Sequence, residues 1–209
     1  MQVRELGISG AWEFSPRLLG DPRGMFLELY KVAAFEEVVG HALDVRQVNT
    51  SVSAAGVVRG IHFADVPPGQ AKYVSCLTGA VLDVIVDIRD GSPTFGQWET
   101  VVLDDVDRRA VYLSEGLGHA FVSLADGSTV SYLCSTGYAP EREHGVHPLD
   151  ETVGIVWPTH DRSGSALELQ LSEKDAQAPS LVEARAQGLL PSFETTTAFI
   201  TSLGRPASG

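Results

Sequence analysis

Along the middle of the chain, apolar and β-branched residues come in short runs separated by Gly, Pro, Asp or Ser, and almost nothing there repeats with the ~3.6-residue period of a helix. VRQVNTSVS, VVRGIHF, AKYVSCLTG, AVLDVIVDIR, WETVVLDD, RAVYLSEG, HAFVSLADG and STVSYLCSTGY read as eight strands in sequence order. Two segments carry helical patterning: VAAFEEVVGH over 32–41, ending at Gly40, and APSLVEARAQGLL over 178–190, which Ser180 can cap and Gly188 can terminate. Strands at regular spacing with no alternating helices predict a mainly β protein, a jelly-roll β-barrel with short flanking helices. One domain is expected over residues 1–192, with 193–209 as a C-terminal tail, the polar stretch from about Pro191 reading as an ordered cap that grades into a loose tail.

Composition narrows the function classes. The chain has 209 residues, 44% hydrophobic and 20% charged, enough to bury a full core, and carries a formal net charge of -12. Nucleic acids and anionic membranes are held by basic surfaces that release counterions, so neither is an expected partner, and any phosphate site must be a local basic pocket. The two cysteines, Cys76 and Cys134, lie far apart in apolar runs and read as buried, inert thiols of a reducing compartment. No apolar stretch approaches the ~20 residues of a membrane span, and no signal-peptide pattern follows Met1, so a cytoplasmic protein is expected.

One strand breaks the apolar rule. VVRGIHF (57–63) sets Arg59 and His62 inside a β-branched run. On a regular strand two residues three apart face opposite sides, but Gly60 lies between them, and a glycine inside a strand often marks a bulge that re-aims side chains. In a barrel with a cavity, inward positions are filled by apolar groups or by groups that hold a ligand. Taken singly, His62 fits a satisfied structural histidine and Arg59 a surface ion pair; their neighbours change that reading. Gly56 followed by His62, and Gly116 followed by His119, resemble parts of the two motifs of cupin barrels. Metal-binding cupins add a histidine at position 64 and a glutamate soon after, where this chain has Ala64 and no such glutamate. A catalytic metal generally needs about three protein ligands, so no metal site is expected.

The runs GVVRGIHF, PPGQAKYV (67–74), VLDVIVDIRDGSPTFGQWE (81–99), YLSEGLGHAF (112–121), YLCSTGYAP (132–140) and LSEKDAQAPS (171–180) together resemble the dTDP-4-dehydrorhamnose 3,5-epimerase family, cupin-fold epimerases of nucleotide-linked deoxysugars. The resemblance extends from DPRG at 21 to about residue 192 and implies a cupin-type barrel that works without cofactor or metal. Its implied reaction removes a proton beside the C4 ketone of a dTDP-4-keto-6-deoxyhexose and returns one to the opposite face, at C3 and C5. A single-centre 3- or 5-epimerase of antibiotic deoxysugar biosynthesis is the alternative within the class.

That chemistry calls for four groups, each matched by the resemblance. His62 is the base, since an imidazole of unperturbed pKa ~6.5 suits proton abstraction near neutrality. Asp175, in LSEKD, orients it. Lys72, in QAKYV, stabilises the enolate oxygen, and Tyr132 is the acid on the other face. Arg23, Arg59, His119 and Lys174 match family positions around the nucleotide-sugar, where guanidinium forks suit paired phosphate oxygens. Glu28, Gln47, Asn49 and Glu143 match polar positions that meet base or sugar, and Tyr138 stacks on thymine or lines the sugar pocket. The resemblance also implies a homodimer in which N-terminal residues serve the partner's site. DIRDGSPTFGQW, with Asp87 and Arg89, reads instead as a structural hairpin, and His144, His147 and His160 as solvated loop residues.

Overall fold

The computed structural model describes residues 1–204. Thirteen strands run through it: β1 (Gln2–Glu5), β2 (Ala11–Ser15), β3 (Leu19–Asp21), β4 (Gly24–Phe26), β5 (Gln47–Ser53), β6 (Val58–Ala64), β7 (Lys72–Thr78), β8 (Ala80–Val86), β9 (Trp98–Asp104), β10 (Ala110–Leu113), β11 (Gly118–Ser123), β12 (Ser128–Cys134) and β13 (Glu143–Gly145). Four helices join them: α1 (Val32–Val39), α2 (Glu173–Ala176), α3 (Leu181–Ala186) and α4 (Phe193–Leu203). A six-stranded sheet of order β1-β2-β10-β7-β12-β5 faces a five-stranded sheet of order β13-β6-β11-β8-β9, and β3 and β4 form a separate hairpin. The named strands pair antiparallel throughout. This is the expected mainly β barrel, and β5 to β12 occupy the eight segments read from the sequence.

Side-chain alternation explains why the central strands read as continuous apolar runs. On β7, Val74 and Cys76 enter the inner core shared by both sheets, while Tyr73 points outward into an aromatic cluster with Phe14, Tyr112 and Phe35 of α1. On β8, Val81 and Ile85 face inward, and Val84 and Val86 pack outward under Leu181 and Ala184 of α3. Both faces of these central strands are therefore covered, and alternation of apolar and polar residues vanishes there. The same period carries polar groups inward at one end of the barrel. Lys72 shares the face of Val74, Asp83 that of Val81 and Ile85, and Tyr132 that of Val130.

Both predicted helices are present but shorter than their patterns. Gly40 closes α1 in the left-handed conformation, φ 90°, and its N–H donates to the Glu36 carbonyl at 2.9 Å. Ser180 opens α3 through a capping box with Glu183, so the helix starts after Pro179 rather than at Ala178. The described part of the segment expected as an ordered cap grading into a tail is helical: residues 193–203 form α4, capped by Ser192, with Thr196 fully buried and Phe193 under the Arg89 guanidinium at 5.1 Å. Residues 205–209 of that expected tail lie outside the described residues. DIRDGSPTFGQW is structural as read: buried Asp87 holds Arg89, Ser92 and Thr94, and the Asp87–Arg89 ion pair of 2.7 Å is almost wholly enclosed.

Candidate active site

A cavity of about 520 Å³ opens at the polar end of the barrel, and Arg59, His62, Lys72, His119, Tyr132 and Asp175 all line it. Arg59 and His62 reach it together because β6 is bulged. His119 on β11 pairs with His62, yet Phe121 pairs with Arg59, which leaves one extra residue on β6 around Gly60. Only glycine fits there: φ is +120°, and a Cβ would lie 2.5 Å from the His119 carbonyl oxygen. The bulge turns Ile61 and Phe63 into the outer core and His62 into the cavity.

His62 Nε2 lies 2.7 Å from Asp175 Oδ1, across 113 positions of sequence. The carboxylate is 7% exposed and the imidazole 39%, so one end of the pair is walled in and the other reaches the cavity. Asp175 sits on the single turn of α2, whose N-cap Ser172 accepts its backbone N–H. Burial pushes its carboxyl upward, but the His62 hydrogen bond and charge, with Ser172 and the Gly60 backbone, outweigh it and hold the pKa below the ordinary value of 3.8. An ionised Asp175 accepts the Nε2 proton, which leaves the imidazole lone pair on Nδ1.

Lys72 enters from the other sheet and is 8% exposed. Burial lowers its pKa, opposed by the negative charges of Glu143 and Asp83 and by the Cys134 thiol. Tyr132 stands on β12, one strand in from the sheet's edge, paired with Asn49 on edge strand β5. Burial raises its pKa, while Arg59 and Asn49 pull it back, so the phenol keeps its proton at neutral pH. Arg59 Nε donates to Ser53 Oγ at 3.2 Å.

Tyr138, Glu143 and Lys174 complete the set from the sequence that lines the cavity. Gln47 and Asn49 stand behind it: Gln47 Oε1 accepts the Tyr138 backbone N–H at 2.8 Å, and Gln47 Nε2 donates to Asn49 Oδ1 at 2.7 Å. Arg23 and Glu28 are not brought to the cavity of this chain. Arg23 lies at the tip of the β3–β4 hairpin with a side chain 89% exposed and paired to Asp21, and exposed Glu28 pairs with Lys31.

Two groups at the site escaped the sequence reading, Asp83 behind the cavity wall and His144 on it. Asp83 is fully buried and accepts from His119 Nε2 at 2.8 Å, making a second histidine–carboxylate pair. The signal was a carboxylate between Val81 and Ile85 on one face of an apolar run. His144, expected in solvent, lines the cavity and binds Asp65 Oδ1 at 2.8 Å, because β13 pairs His144 with Phe63 beside His62. His62 and His119 thus each hold a carboxylate of their own, and among the described residues no group of three His, Cys, Asp or Glu is placed to hold a metal ion.

A jelly-roll barrel whose mouth gathers an oriented imidazole, a buried amine and a phenol is a cupin-type barrel equipped for proton transfer. The family model of dTDP-4-dehydrorhamnose 3,5-epimerase matches residues 5–183. A dTDP-4-dehydrorhamnose 3,5-epimerase of Mycolicibacterium smegmatis is 59% identical over 205 residues, covering 98% of each chain. The solved rmlC epimerase of Mycobacterium tuberculosis superposes with a TM-score of 0.92 at 54% identity, over 97% of this chain and 100% of that one. ChmJ of Streptomyces bikiniensis, a 3'-monoepimerase solved in complex with dTDP-quinovose, superposes with a TM-score of 0.90 at 47% identity, over 95% and 98%. The chain belongs to the dTDP-4-dehydrorhamnose 3,5-epimerase family and is an enzyme of the epimerase class.

Proposed function

We propose that the protein inverts C3 and C5 of dTDP-4-dehydro-6-deoxy-D-glucose to give dTDP-4-dehydro-L-rhamnose. The observation that supports this reading best is the oriented base: a 2.7 Å His62–Asp175 pair at the mouth of a cavity that also receives Lys72 and Tyr132 from the opposite sheet. His62 takes the proton from the carbon beside the C4 ketone. Electron density moves to the ketone oxygen, and Lys72, a charge in a low-dielectric wall, stabilises it, an effect on the order of 3 kcal/mol for one such donor. Tyr132 then gives its proton to the opposite face of the same carbon, and the configuration inverts. Repetition at the second carbon completes the reaction with no external reductant or oxidant, since one proton leaves and one arrives at each centre.

The nucleotide diphosphate binds along Arg59, His119 and Lys174, with Glu143 and Tyr138 on the sugar and base. Arg23 and Glu28 serve the cavity of a second copy in a homodimer. Exposed Leu19, Met25 and Phe26 on the β3–β4 hairpin, and exposed Val48 and Val52 on edge strand β5, supply apolar surface for that assembly. Buried free thiols at Cys76 and Cys134, and the absence among the described residues of any helix long and apolar enough to cross a membrane, accord with a cytoplasmic location.

Incubation with the 4-keto sugar nucleotide, followed by reduction and determination of the hexose configuration, tests the function. The L-rhamno product supports double inversion. A product inverted at C3 alone supports the second reading, favoured by the likeness to a 3'-monoepimerase.

A further inference from the structure

Glu115 is a buried carboxylate outside the acid–base set. It lies at the turn between β10 and β11, is 3% exposed, and its Oε2 has no hydrogen-bond partner. Burial pushes its pKa up, opposed by hydrogen bonds that include Ser135 and the Ala71 backbone. An arrangement that costs stability in this way needs a compensating reason.

The reason lies in what Oε1 touches. Ser135 Oγ donates to Glu115 Oε1 at 3.0 Å and accepts the Ala71 backbone N–H at 2.8 Å. The Ser135 N–H donates in turn to the Ala71 carbonyl at 3.0 Å. Ala71 directly precedes Lys72, which opens β7 opposite Leu113 of β10 and Cys134 of β12. The stem of Glu115 also lies against Gly69, where a Cβ would meet its Cβ and Cγ at 2.7 Å, and Thr136 Oγ1 donates to the Gly69 carbonyl at 2.8 Å. The chain Glu115–Ser135–Ala71 therefore locks the entry to β7 one residue before the buried amine. Among the described residues the Lys72 side chain has no ion pair or hydrogen bond, so its position depends on the backbone pairing of β7 and on packing.

We propose that Glu115 is a positioning residue for the reaction: through the Ser135 hydroxyl and the Ala71 N–H it holds Lys72 where the developing oxyanion forms. The inference rests on Lys72 as the oxyanion-stabilising group. What Glu115 supplies is an acceptor at Oε1, not a charge at Oε2, so an isosteric neutral acceptor should replace it and an isosteric apolar group should not.

Steady-state kinetics on Glu115→Gln, Glu115→Leu, Ser135→Ala and the Glu115→Leu/Ser135→Ala double variant test this, with Lys72→Met as reference. The expected result is a kcat lowered roughly ten- to a hundredfold in Glu115→Leu and Ser135→Ala with KM within about twofold, the scale of lost outer-sphere support. The double variant should be no slower than the worse single one, and Glu115→Gln should stay within about threefold of wild type. Normal kcat in Glu115→Leu, or additive losses in the double variant, overturns the proposal even if Lys72→Met is inactive. An active Lys72→Met variant overturns the role of Lys72 and this inference with it. Should Glu115→Leu fail to fold, Ser135→Ala and Glu115→Gln decide: normal kcat in the first, or a large loss in the second, overturns it.

Discussion

His62 and Tyr132 reach one cavity from opposite layers of the barrel, His62 from β6 of the five-stranded sheet and Tyr132 from β12 of the six-stranded sheet. An inversion at carbon needs a base on one face and an acid on the other, and two facing sheets supply that separation without either group leaving its strand. Tyr132→Phe should therefore impair net inversion more than proton loss. Wash-in of deuterium from solvent should continue at the carbon attacked by His62 while product accumulation falls about 10²-fold or more. Equal loss of both would mean that the phenol mainly positions substrate.

In the proposed mechanism Asp175 fixes which nitrogen of His62 carries the proton. Asp175→Asn presents an amide that can donate to Nε2, which favours the wrong tautomer. The expected cost in kcat is on the order of 10²–10⁴-fold with KM little changed, as for other oriented bases. A loss below about threefold would argue against the orienting role.

The same carboxylate gives a signature in stability against pH. Its folded pKa lies below 3.8, so the unfolded chain binds more protons at acid pH and stability rises with pH across that window. The contribution is complete above the ordinary carboxylate value and is lost as pH falls through the depressed one. Thermal melts between pH 3 and 6 should show wild type losing stability on acidification more steeply than Asp175→Asn; parallel curves would contradict the assignment.

In the proposed mechanism Lys72 is a functional group held at a cost in stability. Burial lowers its pKa, so the unfolded chain binds more protons and the cost of the buried ammonium shrinks as pH rises toward the ordinary lysine value of 10.5. Lys72→Met should be inactive yet melt several degrees higher at pH 7, at roughly 2–4 °C per kcal/mol for a chain of this size, with the gap narrowing toward pH 10. A lower melting temperature at pH 7 would contradict this.

Gly60 couples fold to site. Gly60→Ala meets both the +120° backbone and the His119 carbonyl oxygen, so it should destabilise by about 2 kcal/mol or more and displace Arg59 and His62 together. Nucleotide affinity and kcat should fall in parallel in the folded fraction, measured by calorimetry and kinetics. Native stability would mean that the bulge is plastic.

The eight central strands are legible in the sequence because each is apolar on one or both faces and bounded by turn residues. β1 and β2 are not: QVRE and AWEFS mix charge with apolar residues, and β2 is held by β10 a hundred residues away, as in the Phe14–Ala110 pairing. α4 is illegible for a related reason, since FETTTAFITSL is rich in threonine and buries only one side, against Arg89 and Gly116. Arg59 and His62 were visible through Gly60. The link from His62 to Asp175 crosses half the chain and follows no local spacing, so only family resemblance pointed to it. Asp83 was within reach, as an isolated carboxylate in AVLDVIVDIR, but its partner His119 is its neighbour only through the pairing of β8 with β11.

Proton exchange at defined carbons tests the account most directly. In deuterated water the wild-type protein should place deuterium at both C3 and C5 of the 4-keto sugar nucleotide, and His62→Ala, folded with an unchanged melting profile, should place it at neither. Exchange at wild-type rate in His62→Ala, or no exchange at either carbon in the wild type, would contradict it.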